Sequence, residues 1–229
     1  RRRVAAGDVD LLKVDLDFGD CDFAEALVTD GALRPKVVHV EVNPLFPPPF
    51  AFRQHFSEEL LWSRGDVGVF IESLANEEWK PWRIGCSLSA YHAALGGPEA
   101  YAIAQVQFHD VLFVRRDLAD RLPLAHFAGP AQHPTELWLQ GFHCDALRAV
   151  IRRDDEYAGF DFRRWAHACA RPGQDQEEVL ASMRSLLRRD GGFDAGRDGE
   201  SLGSAPPGRF PFSLWTYEPH LADAQPASM

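Results

Sequence analysis

Hydrophobic and polar positions alternate early in the chain and fall into a helical period late in it. Residues Leu11 to Asp17, LLKVDLD, carry apolar side chains interrupted by polar ones at alternate positions, which predicts a strand. Asp20 stands where it can cap a helix. Asp22 and Glu25 lie in or near the first turn, and Phe23, Ala24, Ala26 and Leu27 supply an apolar side. Gly31 offers a stop, and after Pro35 the β-branched run Val37 to Asn43, VVHVEVN, reads as a second strand. Strand, short helix and strand in so short a span predict a βαβ unit, with parallel strands and a right-handed crossover.

The segment Pro44 to Phe50, PLFPPPF, is a loop, because proline donates no ladder hydrogen bond. Ala51 to Leu61 is expected as a short helix, and Val67 to Leu74 fits a strand or a helix equally. Ser87 to Leu95 reads as a helix ending at Gly96-Gly97. Tyr101 to Phe108 and Val111 to Arg115 flank the His109-Asp110 turn, and so predict an antiparallel hairpin. Further on, Thr135 to Arg153 is helical. Asp175-Gln176-Glu177-Glu178 resembles a capping box ahead of Val179, Leu180, Met183, Leu186 and Leu187. Residues 191–229, rich in Gly, Pro, Ser and Asp, are expected as a mobile tail, with Phe210, Phe212, Trp215 and Tyr217 as its docking aromatics.

Composition narrows the classes. With 229 residues, 45% hydrophobic and 25% charged, the chain can bury a core and is not of disordered type. No apolar run approaches the length of a membrane span. A net charge of −10 repels phosphate backbones, which argues against nucleic acid as a partner. Cys21, Cys86, Cys144 and Cys169 form no C-x-x-C pair. Their spacing suits free thiols in a reducing compartment, so an intracellular, cytoplasmic location is expected. Arg1-Arg2-Arg3 leads into no apolar signal-peptide core. The chain, lacking an initiator Met, is expected to be a processed product or part of a longer protein.

Chemistry concentrates in the βαβ unit. Lys13, Asp15 and Asp17 share one face of the first strand, and His39, Glu41 and Asn43 one face of the second. Buried parallel strands are normally apolar throughout, so these polar groups must pair or face a cleft. Asp17 and Asn43 fall at the carboxyl ends of adjacent strands, where ligands bind in open α/β sheets. Asp15, Asp17, Asp20 and Asp22 lie within eight residues and supply hard oxygen donors for Mg²⁺ or Ca²⁺, without the EF-hand spacing. Weaker constellations are His143-Cys144 with His167 and Cys169 as zinc ligands, and Cys86 at a helix start as an activated thiol. Trp62, Trp79 and Trp82 could line a pocket or a core. Ser87 and Ser89 lack the G-x-S-x-G context of a nucleophile.

The texts LLKVDLDFGDCDFAEAL, RPKVVHVEVNP and YAIAQVQFHDVLFVRRDL resemble the C-terminal half of an FkbM-type methyltransferase domain, over about residues 8–122. Lys13-Val14-Asp15 matches that family's first strand, with Asp17 in its acidic place. Pro35 to Glu41 matches the next strand, Ala100-Tyr101 the closing "GY" strand, and Phe113 to Asp117 the final "F-V-R-R-D". Gly19 lies one place late, and no G-x-G-x-G text occurs. The resemblance implies an α/β fold: a Rossmann-like partial parallel sheet with a C-terminal antiparallel hairpin, over residues 1–122. A helical extension over 123–190 and the tail over 191–229 follow.

It implies S-adenosylmethionine-dependent O-methylation, with the cofactor half lying outside these residues. Asp15 and Asp17 would be the catalytic carboxylates, one taking the acceptor hydroxyl's proton, and Glu41 and Asn43 would bind the small-molecule or glycan hydroxyl acceptor. Asp17 and Asn43 resemble the Mg²⁺-ligand pair of metal-dependent O-methyltransferases. Two alternatives stand beside it. One is a non-catalytic remnant whose helical half binds a protein partner, and the other is a divalent-metal-binding α/β domain.

Overall fold

A computed structural model of the chain describes residues 7–16, 19–30, 33–44, 46–56, 85–107, 109–119, 121–122, 134–142, 174–189, 192–196 and 210–217. The βαβ unit is present. Strand β1 (Gly7–Val14) is followed by helix α1 (Asp20–Glu25), a π-helical turn (Ala26–Asp30) and strand β2 (Leu33–Glu41). The two strands are parallel, with Leu12 opposite Val38 and Lys13 opposite His39. Asp20 does not cap α1. The cap position belongs to Gly19, in the left-handed region with φ 63°, and no side chain bonds there. Gly19 is required because a Cβ would stand 2.7 Å from the Phe56 Cβ and 2.9 Å from that residue's backbone.

Past β2 the chain forms strand β3 (Phe50–Gln54), where the sequence suggested a helix. Helix α2 (Leu88–Ala94) follows, capped by Ser87, whose hydroxyl accepts from the Ala90 N–H. The expected hairpin is strands β4 (Tyr101–Gln107) and β5 (Asp110–Arg115), then the single turn α3 (Arg116–Ala119). Helices α4 (Pro134–Phe142) and α5 (Gln174–Arg189) come next. Asp175 lies inside α5 and not at its cap. Strands β6 (Gly192–Asp194) and β7 (Phe210–Thr216) complete the described elements.

Two mixed sheets result, and the molecule is α/β. The first has the order β1-β2-β5-β4, with β5 antiparallel to both its neighbours. The second has the order β3-β7-β6. Gly192–Asp194 and Phe210–Thr216, expected within a mobile tail, are thus sheet strands. Phe212 and Leu214 are fully buried.

The larger core lies between the first sheet and helices α1, α2 and α4, through Val14, Val38, Val40, Phe113, Tyr91 and Trp138. A second core packs α5 on the other sheet, through Phe46, Phe50, Phe52, Met183, Leu187, Phe212 and Leu214. Ala51 and Trp215 turn the opposite way, into the first core, so β3 and β7 are buried on both faces.

Cys21 and Cys86 form a disulfide across 65 residues, with Cα atoms 6.1 Å apart. This corrects the free-thiol expectation for this pair, and removes Cys86 as an activated thiol. Closing a loop of that length restricts the unfolded chain by about 4 kcal/mol. Among the described residues no helix is long and apolar enough to cross a membrane.

Candidate functional site

The strand register decides which polar groups meet. Lys13 lies opposite His39, and Glu41 opposite Asp110, so these side chains leave one face of the first sheet near the carboxyl ends of β1 and β2. The β4–β5 turn adds His109, held by the Val42 N–H donating to its carbonyl at 2.6 Å. Lys13 Nζ is 2.8 Å from Asp15 Oδ2, and His39 Nε2 is 2.9 Å from Asp110 Oδ1. His109 Nε2 stands 3.6 Å from Glu41 Oε1 and 3.7 Å from Asp110 Oδ2.

All these groups are partly open to solvent. The hydrogen bond from Lys13 holds the Asp15 carboxyl below its usual range, against the opposing effect of burial. A hydrogen bond with Glu41 and the nearby His39 act in the same direction as Lys13. Asp15 is therefore ionised at neutral pH.

The arrangement brings Asp15 and Glu41 together. Asn43, just past the end of β2, is buried, and its N–H donates to the Cys86 carbonyl at 2.6 Å. Asp17 lies outside the described residues, as do Trp62, Trp79 and Trp82, and His143, Cys144, His167 and Cys169 of the zinc constellation. Among the described residues no group of three His, Cys, Asp or Glu side chains could hold a metal ion. Sequence reasoning named His39 and the His109-Asp110 turn without giving them a role. Their convergence on Glu41 depends on β5 lying next to β2, a pairing that the alternation pattern cannot reveal.

A second polar network joins helix α1 to the second sheet. Asp22 Oδ1 accepts from Arg53 Nε at 2.6 Å and lies 3.2 Å from His55 Nδ1, while Asp22 Oδ2 accepts from the Phe56 N–H at 2.7 Å. His55 Nε2 is 2.7 Å from Ser213 Oγ. Arg53 also reaches Glu25 Oε2 at 2.5 Å. Burial raises the Asp22 pKa, but the His55 hydrogen bond and the Arg53 charge outweigh it and hold the carboxyl below its usual range.

Asp22, His55 and Ser213 have the order of a hydrolytic triad. Ser213 is fully buried within a central strand, however, so no substrate carbonyl reaches its hydroxyl. The network is a tie between α1, β3 and β7. Ser87 is likewise structural: its hydroxyl donates to the Phe50 carbonyl at 3.1 Å and accepts from the Phe52 N–H at 2.9 Å. No protein-family model, no curated protein and no solved structure matches the chain.

Proposed function

We propose that this chain is the acceptor-side part of an S-adenosylmethionine-dependent O-methyltransferase-like protein of the FkbM type. One observation carries the reading: a parallel strand pair closed by an antiparallel hairpin, with Asp15 and Glu41 together at the carboxyl ends of the parallel strands. That is the succession of pieces the resemblance implies, and the strand edge where α/β sheets bind ligands.

The cofactor would supply an electrophilic methyl group. The sequence offers no glycine-rich loop to hold it, so the residues present do not by themselves fit the cofactor. What they can do is bind and orient an acceptor hydroxyl. The ionised Asp15 takes the hydroxyl proton, while Glu41, beside His109, binds and orients the acceptor hydroxyl. Asp17 is a second candidate base by resemblance alone. Mg²⁺ at Asp17 and Asn43 gains no support from the burial of Asn43.

A second reading, a non-catalytic protein-interaction module, is favoured by β1. Its outer edge pairs with no described strand, and Leu11 and Leu16 are 60% and 50% exposed. Calorimetric titration of S-adenosylmethionine into the longest natural form of the protein separates the two. Binding, with loss of turnover in Glu41→Gln and Asp17→Asn at unchanged melting temperature, supports the methyltransferase. Absence of binding removes it and leaves the interaction module.

A further inference from the structure

We propose that the Cys21–Cys86 disulfide is a redox clamp on the β1–α1 turn, and that Arg53 sets how readily a dithiol can open it. The bond joins the second residue of α1 to the segment that precedes α2. Each end is wired to the strand ends described above. On the α1 side, Asp20 Oδ1 accepts from the Leu16 N–H at 2.8 Å, which fixes the turn that leaves β1 beside Asp15. On the other side, the Cys86 carbonyl accepts from the Asn43 N–H at the end of β2, and Cys86 bridges to Arg53 on β3. With the bond intact, the exits of β1 and β2 are held in one frame. With it reduced, α1 keeps only its packing and its polar ties.

Both cysteines are fully buried, so a reductant reaches the sulfurs only when something lifts. Helix α1, which carries Cys21, is short: it has only six residues and runs straight into a five-residue π-helical turn. Arg53 is what holds it down. Its guanidinium reaches from β3 to both Asp22 and Glu25, one helical turn apart on α1. Breaking either contact lowers the cost of lifting α1 without touching the sulfurs.

The exchange is balanced by a dithiol. Its thiolate attacks one cysteine sulfur, forming a mixed disulfide and releasing the other cysteine as a thiolate. The second thiol then attacks the mixed disulfide. The products are two protein thiols and the oxidised, cyclic form of the reductant, with two electrons passed to the protein.

The test begins with the native chain, denatured with an alkylating agent present and no reductant, then peptide-mapped. Cys21 and Cys86 are expected to be protected and linked, and alkylation of both overturns the proposal. Reduction by dithiothreitol under native conditions is then followed by acid-quenched mass spectrometry. Arg53→Gln is expected to speed it about tenfold and Glu25→Gln about threefold, the second variant serving if the first fails to fold. Amide exchange over residues 15–25 should rise on reduction of the wild-type protein. Unchanged rates in a folded variant overturn the gating by Arg53. A wild-type rate with the urea dependence of global unfolding shows that α1 does not open locally, and overturns the clamp.

Discussion

His92 is the residue whose titration the fold bears most directly. It sits on α2 with its Nε2–H donating to the Tyr101 carbonyl at 3.1 Å, while Nδ1 has no partner among the described residues. Burial pushes its pKa down to about 4, from 6.5. The unfolded chain therefore takes up a proton below about pH 6.5 and the folded chain only near pH 4. Stability is full above pH 6.5 and falls as the pH drops toward 4, by about 3 kcal/mol. Urea melts at pH 7 and pH 4.5 should show most of that loss, and His92→Gln should flatten it. Asp22 does not confound the window, because a carboxyl held below 3.8 loses its contribution only at lower pH. Asp22→Ala tests the same scale at neutral pH. It strands Arg53, half its ion pairs gone in a largely buried setting, and should lower stability by about 2–4 kcal/mol. A loss below about 0.5 kcal/mol in a urea melt would show that the tie between α1 and β3 is not structural.

At the scale of elements, the β1–α1 junction depends on one backbone conformation. Gly19→Ala meets a left-handed φ and a backbone neighbour at 2.9 Å, so it should cost about 2–4 kcal/mol. Gly196→Ala has a φ of 81° with nothing within 4 Å of the added Cβ, and should cost about 1 kcal/mol. Thermal melts of the two variants separate crowding from conformational strain, and equal losses would show that Phe56 simply moves aside. β1, β2, β4, β5 and α2 announced themselves because β-branched runs, a two-residue turn and a helical run closed by two glycines are local signals. Phe50–Gln54 did not, because Phe50 and Phe52 face one core while Ala51 faces the other. A strand buried on both faces carries no alternation to distinguish it from a helix. The sequence places Asp22 only in the first turn of α1 for a related reason: its partners Arg53 and His55 come from 31 and 33 residues away. The candidate site was half legible. Glu41 follows from the parity of β2, but β1 ends at Val14, before the expected Asp17, so Asp15 stands just past the strand and is held by Lys13, while His109 and Asp110 reach the site only through the non-local pairing of β5 with β2.

At the scale of the whole molecule, the two sheets are not independent, and the last strand shows why. β7 lies centrally between β3 and β6, so it closes a sheet formed from residues more than 150 positions apart. It gives Phe212 and Leu214 to one core and Trp215 to the other. Its Ser213 hydroxyl holds His55, and Arg184 of α5 donates to its Leu214 carbonyl. Glycine, proline and serine around it made the region read as a tail, because local composition says nothing of a long-range partner. The difference is measurable. Removing residues 210–229 from a tethered tail would leave the melting curve unchanged. Removing β7 deletes three large buried side chains, each worth about 3–5 kcal/mol, against a typical domain stability of about 5–15 kcal/mol. It also leaves the β3 ladder groups without partners. The truncated chain should therefore lose its cooperative thermal transition and bind a hydrophobic dye at neutral pH. Retention of a wild-type melting temperature by that chain would instead make β7 a peripheral addition, and the first sheet with α1, α2 and α4 a self-sufficient unit.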